Sequence, residues 1–199
     1  MQVSNFRNVL AAIVSAGVLS ACTSSDSSLS QAVSCSDCAV LSTVASDFGS
    51  SAVDFVATTQ DFEASIDRSA QDLSDVRFTT FGDHFYRIGR GATSSLAKFS
   101  FSDTETPIWE YSVGTSVNPY DVVFVSETKA YVLLWQSTEI LEIDPSVTDS
   151  SQAASFNVDQ IDLSTYDFGL GLTAATGFEK DGLLYVLLEG LDASYVPQT

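Results

Sequence analysis

Residues able to do chemistry are few and scattered along this 199-residue chain. The single histidine, His84, follows Asp83 at an expected hairpin turn, and a serine triad could be assembled only around it, because no G-x-S-x-G elbow is present. A solvated turn residue is the simpler reading of His84. Arg87 and Arg90, in "HFYRIGRG", fall on opposite faces of one expected strand. Scarce cations in an acidic chain form internal ion pairs, and contact with an anion is the alternative. "NPYD" sets Asn118, Tyr120 and Asp121 at a good Asn-Pro turn. Asp144, Asp149, Asp159, Asp162 and Asp167 lack the loop spacing and central glycine of an EF-hand, so they read as solvated carboxylates, and no metal site is expected. "GLGLTA", from Gly169, matches G-x-G-x-x-A, but no strand and helix frame it and Asp181-Gly182 soon marks a hairpin. Paired glycosidase carboxylates are set by folding rather than by spacing, and no catalytic residue is assigned from the sequence. No cofactor is expected either.

The first residues carry a different kind of chemistry. Arg7 precedes "NVLAAIVSAGVLSAC", an apolar run too short to span a bilayer that ends in small residues at Ala21 and Cys22. This is the charged, apolar and small-residue layout of a secretory signal, expected to occupy residues 1–21. Leu19-Ser20-Ala21-Cys22 also resembles the lipobox of bacterial lipoproteins. That resemblance implies cleavage before Cys22, a diacylglyceryl thioether on its sulfur and acylation of the new amino terminus. Several acyl chains anchor stably, since each buried methylene contributes about 0.8 kcal/mol. Thr23, rather than Asp, follows the cysteine, which by the family's sorting pattern points to the outer membrane. The chain is thus expected in the bacterial cell envelope, facing the periplasm or the surface.

Residues 22–38 read as a Ser-rich tether, "TSSDSSLSQAVSCSD" and its flanks, reaching roughly 20 Å from the membrane as a flexible coil. Cys35 and Cys38 close it in Cys-Ser-Asp-Cys. In an exported chain a local disulfide is the leading reading. Redox catalysis by C-x-x-C needs a βαβ context that nothing downstream supplies, and a zinc site needs two further ligands.

Charge narrows the partners. Acidic residues outnumber basic ones 26 to 8, for a formal charge of −18, and they are spread along the chain. Nucleic acid needs clustered Lys and Arg and is excluded. The same field repels anionic headgroups, so membrane attachment must run through the lipid anchor. The expected ligand is a protein or a carbohydrate.

The elements that must position these residues form a repeat. "FGDHFYRIGRGATSSLAKFSF" from Phe81, "VSETKAYVLLWQSTEILEIDP" from Val125 and "FEKDGLLYVLLEGLDASYVP" from Phe178 align on Tyr86, Tyr131 and Tyr185. Each holds a polar turn, a dense apolar strand, a short gap and a further strand. Steps of about 40 to 50 residues are the spacing of propeller blades. In the second unit "YDVVFVS", "KAYVLLW", "TEILEID" and "ASFNVDQIDLS" supply four successive strands, the inner ones apolar on both faces and the third alternating. "NPYDVVFVSETKAYVLLWQSTEILEIDPS" resembles the YVTN-type β-propeller repeat of bacterial exported proteins, through Pro119, Ala130-Tyr131-Val132 and Ile143-Asp144. Leu133, Leu134 and Trp135 depart from it.

The expected fold is all-β: a β-propeller-like array of four-stranded antiparallel blades over residues 39–199, with two full blades and partial ones. "AVLSTVASDFGSSAVDFVATT" adds two strands, and the spacing of Phe62, Ile66 and Leu73 within residues 60–73 fits a short helix, with a polar connecting loop as the alternative. Propellers close with about four to eight blades, so the array is expected to be a portion of a longer propeller, or else to cover its open faces by oligomerising. Connections entering a blade rim the channel where propellers hold ligands, which makes Asn118, Tyr120, Asp121 and Arg90 the implied ligand-face contacts. A lipid-anchored binding or scaffold module is the expected function. The alternative is a hydrolase or lyase acting on envelope carbohydrate, to be recognised by close, buried carboxylates with an Arg or His at the channel mouth.

Overall fold

The computed structural model describes residues 38–57, 64–71, 73–167, 169 and 173–198. They form an almost wholly β structure of four antiparallel sheets taken in chain order. The first holds β1 (Cys38–Val44), β2 (Ser51–Ala57) and β3 (Ala64–Gln71). The second holds β4 (Val76–Phe81), β5 (His84–Gly89), β6 (Ser95–Ser100) and β7 (Trp109–Ser112). The third holds β8 (Pro119–Ser126), β9 (Lys129–Leu134), β10 (Glu139–Ile143) and β11 (Asn157–Asp162), with a single helical turn, α1 (Ala153–Phe156), before the last strand. The fourth is the hairpin of β12 (Ala174–Lys180) and β13 (Leu183–Leu188).

The opening strands β1, β4, β8 and β12 lie side by side, and each later strand of a sheet pairs outward from its predecessor. This is the blade arrangement of a propeller, without closure among the described residues. The second unit has the four strands that its sequence pattern predicts, because two-residue turns at Glu127-Thr128 and the polar break at residues 135–138 cut continuous apolar runs into strands. Asp181 and Gly182 both have positive φ, 55° and 77°, as a two-residue hairpin turn of the primed type requires.

Apolar seams hold the sheets together. Val53 and Phe55 pack with Phe85, Ala97 and Phe99 between the first and second sheets. Tyr86, Ile88, Leu96, Trp109 and Tyr111 meet Val132, Leu134, Ile143 and Phe156 between the second and third. Val123, Leu133 and Ile140 meet Ala174, Leu184, Val186 and Leu188 between the third and fourth. The second and third sheets, with a seam on each side, are apolar on both faces for this reason, which is why alternation is weak in "KAYVLL". Gly177 shows how close the last seam is: a Cβ there would stand 3.1 Å from a Leu133 methyl and 3.2 Å from a Val123 methyl across it.

Two expectations are corrected. The helix predicted within residues 60–73 is instead strand β3 over Ala64–Gln71, paired antiparallel with β2 in a register that joins Ser51 to Gln71 and Val56 to Ala64. A lone short helix is marginal in water, whereas the bare edge of β2 offers a ready ladder of hydrogen bonds. Arg90 does not share a strand with Arg87. It lies one residue past the end of β5, in the turn toward β6. Residues 1–37, with the signal, Cys22 and Cys35, lie outside the described residues.

Candidate functional site

Antiparallel pairing brings the end of β5, the start of β8, the end of β9 and the end of β13 to one end of the array. Arg90, Asn118, Tyr120 and Asp121 are gathered there, each in a different role. Asn118 adopts a left-handed conformation, φ 50°, which Asn tolerates better than most residues. Its Oδ1 accepts from the Gly91 amide at 2.9 Å, and its carbonyl accepts from the Trp135 amide at 2.9 Å. It therefore ties the second sheet to the third from the loop just before β8, whereas Pro119, Tyr120 and Asp121, expected in an Asn-Pro turn, lie within that strand.

Asp121 is 8% exposed. Its Oδ2 accepts from the Thr176 hydroxyl at 2.8 Å, and Arg77 lies 3.9 Å from Oδ1. Arg77 also donates to the Tyr120 carbonyl at 3.2 Å. One carboxylate so links three neighbouring opening strands, β4, β8 and β12. A buried carboxylate is tolerable only with such partners.

Tyr120 starts a feature that sequence reasoning missed. The guanidinium carbon of Arg90 lies 3.9 Å from the centre of its ring, a close cation–π contact. Tyr120 in turn stacks with Trp135 at 6.1 Å, and Trp135 with Tyr195 at 6.0 Å. The Trp135 indole N–H donates to the Glu189 carboxylate at 3.0 Å. Arg90 is also paired with Asp75, at 3.4 Å, and its Nε is buried without a hydrogen-bond partner among the described residues. A row of one guanidinium and three aromatic rings thus crosses this end of three successive sheets, with Tyr195 60% exposed at its far end. Trp135 stood out in the sequence only as a departure from the repeat. Tyr195 carried no signal at all.

The other sequence candidates are placed elsewhere. Arg87 pairs with Glu110 at 2.9 Å, an internal ion pair of the kind expected. His84 opens β5 at the opposite end of the array, half-buried. Burial, and then the charge of Lys98, hold its imidazole below the usual histidine value, against the opposing pull of Glu127 and Asp83. Cys38 is disulfide-bonded, and its expected partner, Cys35, lies outside the described residues. Asp149 and Asp162 serve turns: each accepts from backbone and hydroxyl groups of a following serine, Ser151 and Ser164, which holds both below the usual carboxylate value. No cluster of three metal-ligating side chains occurs among the described residues. Of "GLGLTA", residues 170–172 fall outside the described residues, and the segment leads into strand β12 rather than a helix.

No family model matches the chain. No curated protein matches it either. Among solved structures, the chain is similar to one titled "Streptogramin B lyase structure", at 13% identity and a TM-score of 0.49, over 82% of this chain and 55% of that one. The chain thus spans about half the length of that protein. At this level of similarity nothing about activity is carried across.

Proposed function

We propose that this chain is a binding module of the bacterial cell envelope, held to the outer membrane through a lipidated Cys22, and that the Arg90–Tyr120–Trp135–Tyr195 end of the array is its ligand face. The observation that carries the reading is the aromatic row. Tyr195, 60% exposed at the open end of the stack that Trp135 supports, can accept the apolar face of a sugar ring, and the nearby charged groups, Arg90 and Glu189, suit hydroxyls. Carbohydrate is therefore the ligand class that fits the row best. The resemblance of residues 19–22 to a lipobox and the Ser-rich stretch after it support an envelope location, and the strongly acidic composition disfavours anionic polymers.

The test is retention of the full lipidated chain on immobilised envelope carbohydrate, compared with Trp135→Ala and Tyr195→Ala. Retention that both substitutions abolish supports the reading. A chain that retains nothing yet turns over a carbohydrate substrate, with activity indifferent to Trp135, would overturn it in favour of an enzyme. Anchoring is read separately, by incorporation of radiolabelled fatty acid that Cys22→Ser eliminates.

A further inference from the structure

We infer that the residue just past the second strand of the second, third and fourth sheets sets ligand specificity on this face, and that Glu189, which holds the position in the fourth, selects a sugar bearing a free amine. The inference rests on the carbohydrate reading above and narrows it.

The position is defined by one main-chain hydrogen bond that recurs from sheet to sheet. The amide of Arg90, one residue past β5, donates to the carbonyl of Asp75, one residue before β4, at 2.9 Å. The amide of Trp135, one residue past β9, donates to the carbonyl of Asn118, one residue before β8, at 2.9 Å. The amide of Glu189, one residue past β13, donates to the carbonyl of Thr173, one residue before β12, at 3.2 Å. Arg90, Trp135 and Glu189 are therefore equivalent, and each lies four residues beyond the aligned tyrosine of its repeat, Tyr86, Tyr131 or Tyr185. The Trp135 carbonyl also accepts from the Thr173 amide at 3.1 Å, which fixes the position across the seam to the fourth sheet.

Main-chain atoms make these ties, so the fold constrains where the side chain stands but not its type. One repeat position thus carries a cation, an aromatic ring and an anion in three successive sheets. The three side chains are joined through the row. Arg90 covers the Tyr120 ring, Tyr120 stacks on Trp135, and the Trp135 indole N–H donates to Glu189.

Charge decides which substituent they favour. Arg90 lies 3.4 Å from Asp75 and Arg77 lies 3.9 Å from Asp121, so each of these cations faces a carboxylate. Glu189, exposed, adds a further negative charge. Trp135 touches both Tyr195 and Glu189, so this carboxylate stands beside the stack on which the sugar ring is received. An ammonium on that ring gains from the carboxylate and from the aromatic faces, whereas an acidic substituent is repelled.

The probes are two fluorescently labelled β-1,4-linked tetrasaccharides, one of glucosamine and one of N-acetylglucosamine. Each is titrated into the full chain at mildly acidic pH, where the free amines are protonated, and read by fluorescence anisotropy. The parent is expected to bind the amine-bearing probe about two- to fivefold more tightly, the size of an exposed charge pair. Glu189→Gln, which keeps an acceptor for the Trp135 indole, is expected to remove that preference. Glu105→Gln, at an exposed carboxylate between β6 and β7, is expected to retain it. Equal binding of the two probes by the parent overturns the inference, as does a preference that survives in Glu189→Gln. A preference lost equally in Glu105→Gln also overturns it, by assigning the effect to the overall negative charge. Binding of neither probe by the parent overturns the carbohydrate reading itself, and the inference with it.

Discussion

The ammonium of Lys98 on β6 donates to the carbonyl of Pro145, 3.0 Å away across the seam between the second and third sheets, with Lys98 only 7% exposed. Burial lowers its affinity for a proton below the ordinary lysine value of 10.5, although Glu127 and Asp144 pull the other way. A base with a lowered folded-state value binds its proton more tightly when unfolded. Stability contributed by Lys98 therefore rises with pH through the window that ends at 10.5. Lys98→Met keeps the volume and removes the titration. It is expected to lie within about 1.5 kcal/mol of the parent at neutral pH. Urea unfolding as pH approaches 10.5 should show the parent gaining stability on the variant, and parallel pH profiles would refute the assignment.

Trp109, fully buried, is ringed by Tyr86, Tyr111 and Phe156 at centroid distances of 6.0, 5.6 and 5.2 Å. Its indole N–H has no hydrogen-bond partner among the described residues. The side chain is thus held by shape and apolar area, not by its polar atom. Trp109→Ala is expected to cost about 3–5 kcal/mol through cavity formation. Trp109→Phe, which also removes the unsatisfied donor, is expected to cost markedly less, about 1–2 kcal/mol. Chemical denaturation of both variants checks the ordering. Equal losses would mean that the N–H does have a partner.

The contrast between β9 and β3 explains how far this fold is legible in its sequence. "KAYVLL" announces itself locally, because a dense apolar run between polar turns can be buried on both faces only as an inner strand. Residues 64–71 carry no comparable pattern, and what makes them a strand is the free edge of β2, which lies elsewhere in the chain. The site divides in the same way. Asn118, Tyr120 and Asp121 are close in sequence and sit at the readable start of a strand. Their partners Arg77, Trp135, Thr176 and Tyr195 come from four separate segments, and only the side-by-side stacking of sheets brings them together.

His84 supplies a pH signature in a different range. Its folded-state value is depressed below 6.5, chiefly by burial, so the unfolded chain holds the proton more tightly. Stability gains from His84 as pH rises from that depressed value to 6.5. Asp103, Asp149 and Asp162 are held below their ordinary 3.8 by hydrogen bonds from following residues. The stability they add is present above 3.8 and fades as pH falls through their folded values, leaving the histidine window separate. His84→Gln is expected to flatten the stability profile just below pH 6.5 and to leave the more acidic limb unchanged. Thermal unfolding across that range decides the matter, and an unaltered slope below 6.5 would show that His84 is solvated in both states.

Asn118 combines two contributions that substitution can separate. Its φ of 50° disfavours any residue with a Cβ, and its side chain accepts from the Gly91 amide at 2.9 Å. Asn118→Gly keeps the backbone at ease and loses the link to the second sheet, at an expected cost of about 1 kcal/mol. Asn118→Ala loses the same link and adds left-handed strain of about 1–2 kcal/mol. Alanine, ordinarily the milder replacement in a folded chain, should therefore be the more damaging one here. Urea midpoints of the two variants test this, and glycine proving equal or worse would mean that the turn carries no strain. Both variants should also loosen the turn that sets Tyr120 against Arg90, so carbohydrate retention is expected to fall in each even where the fold survives.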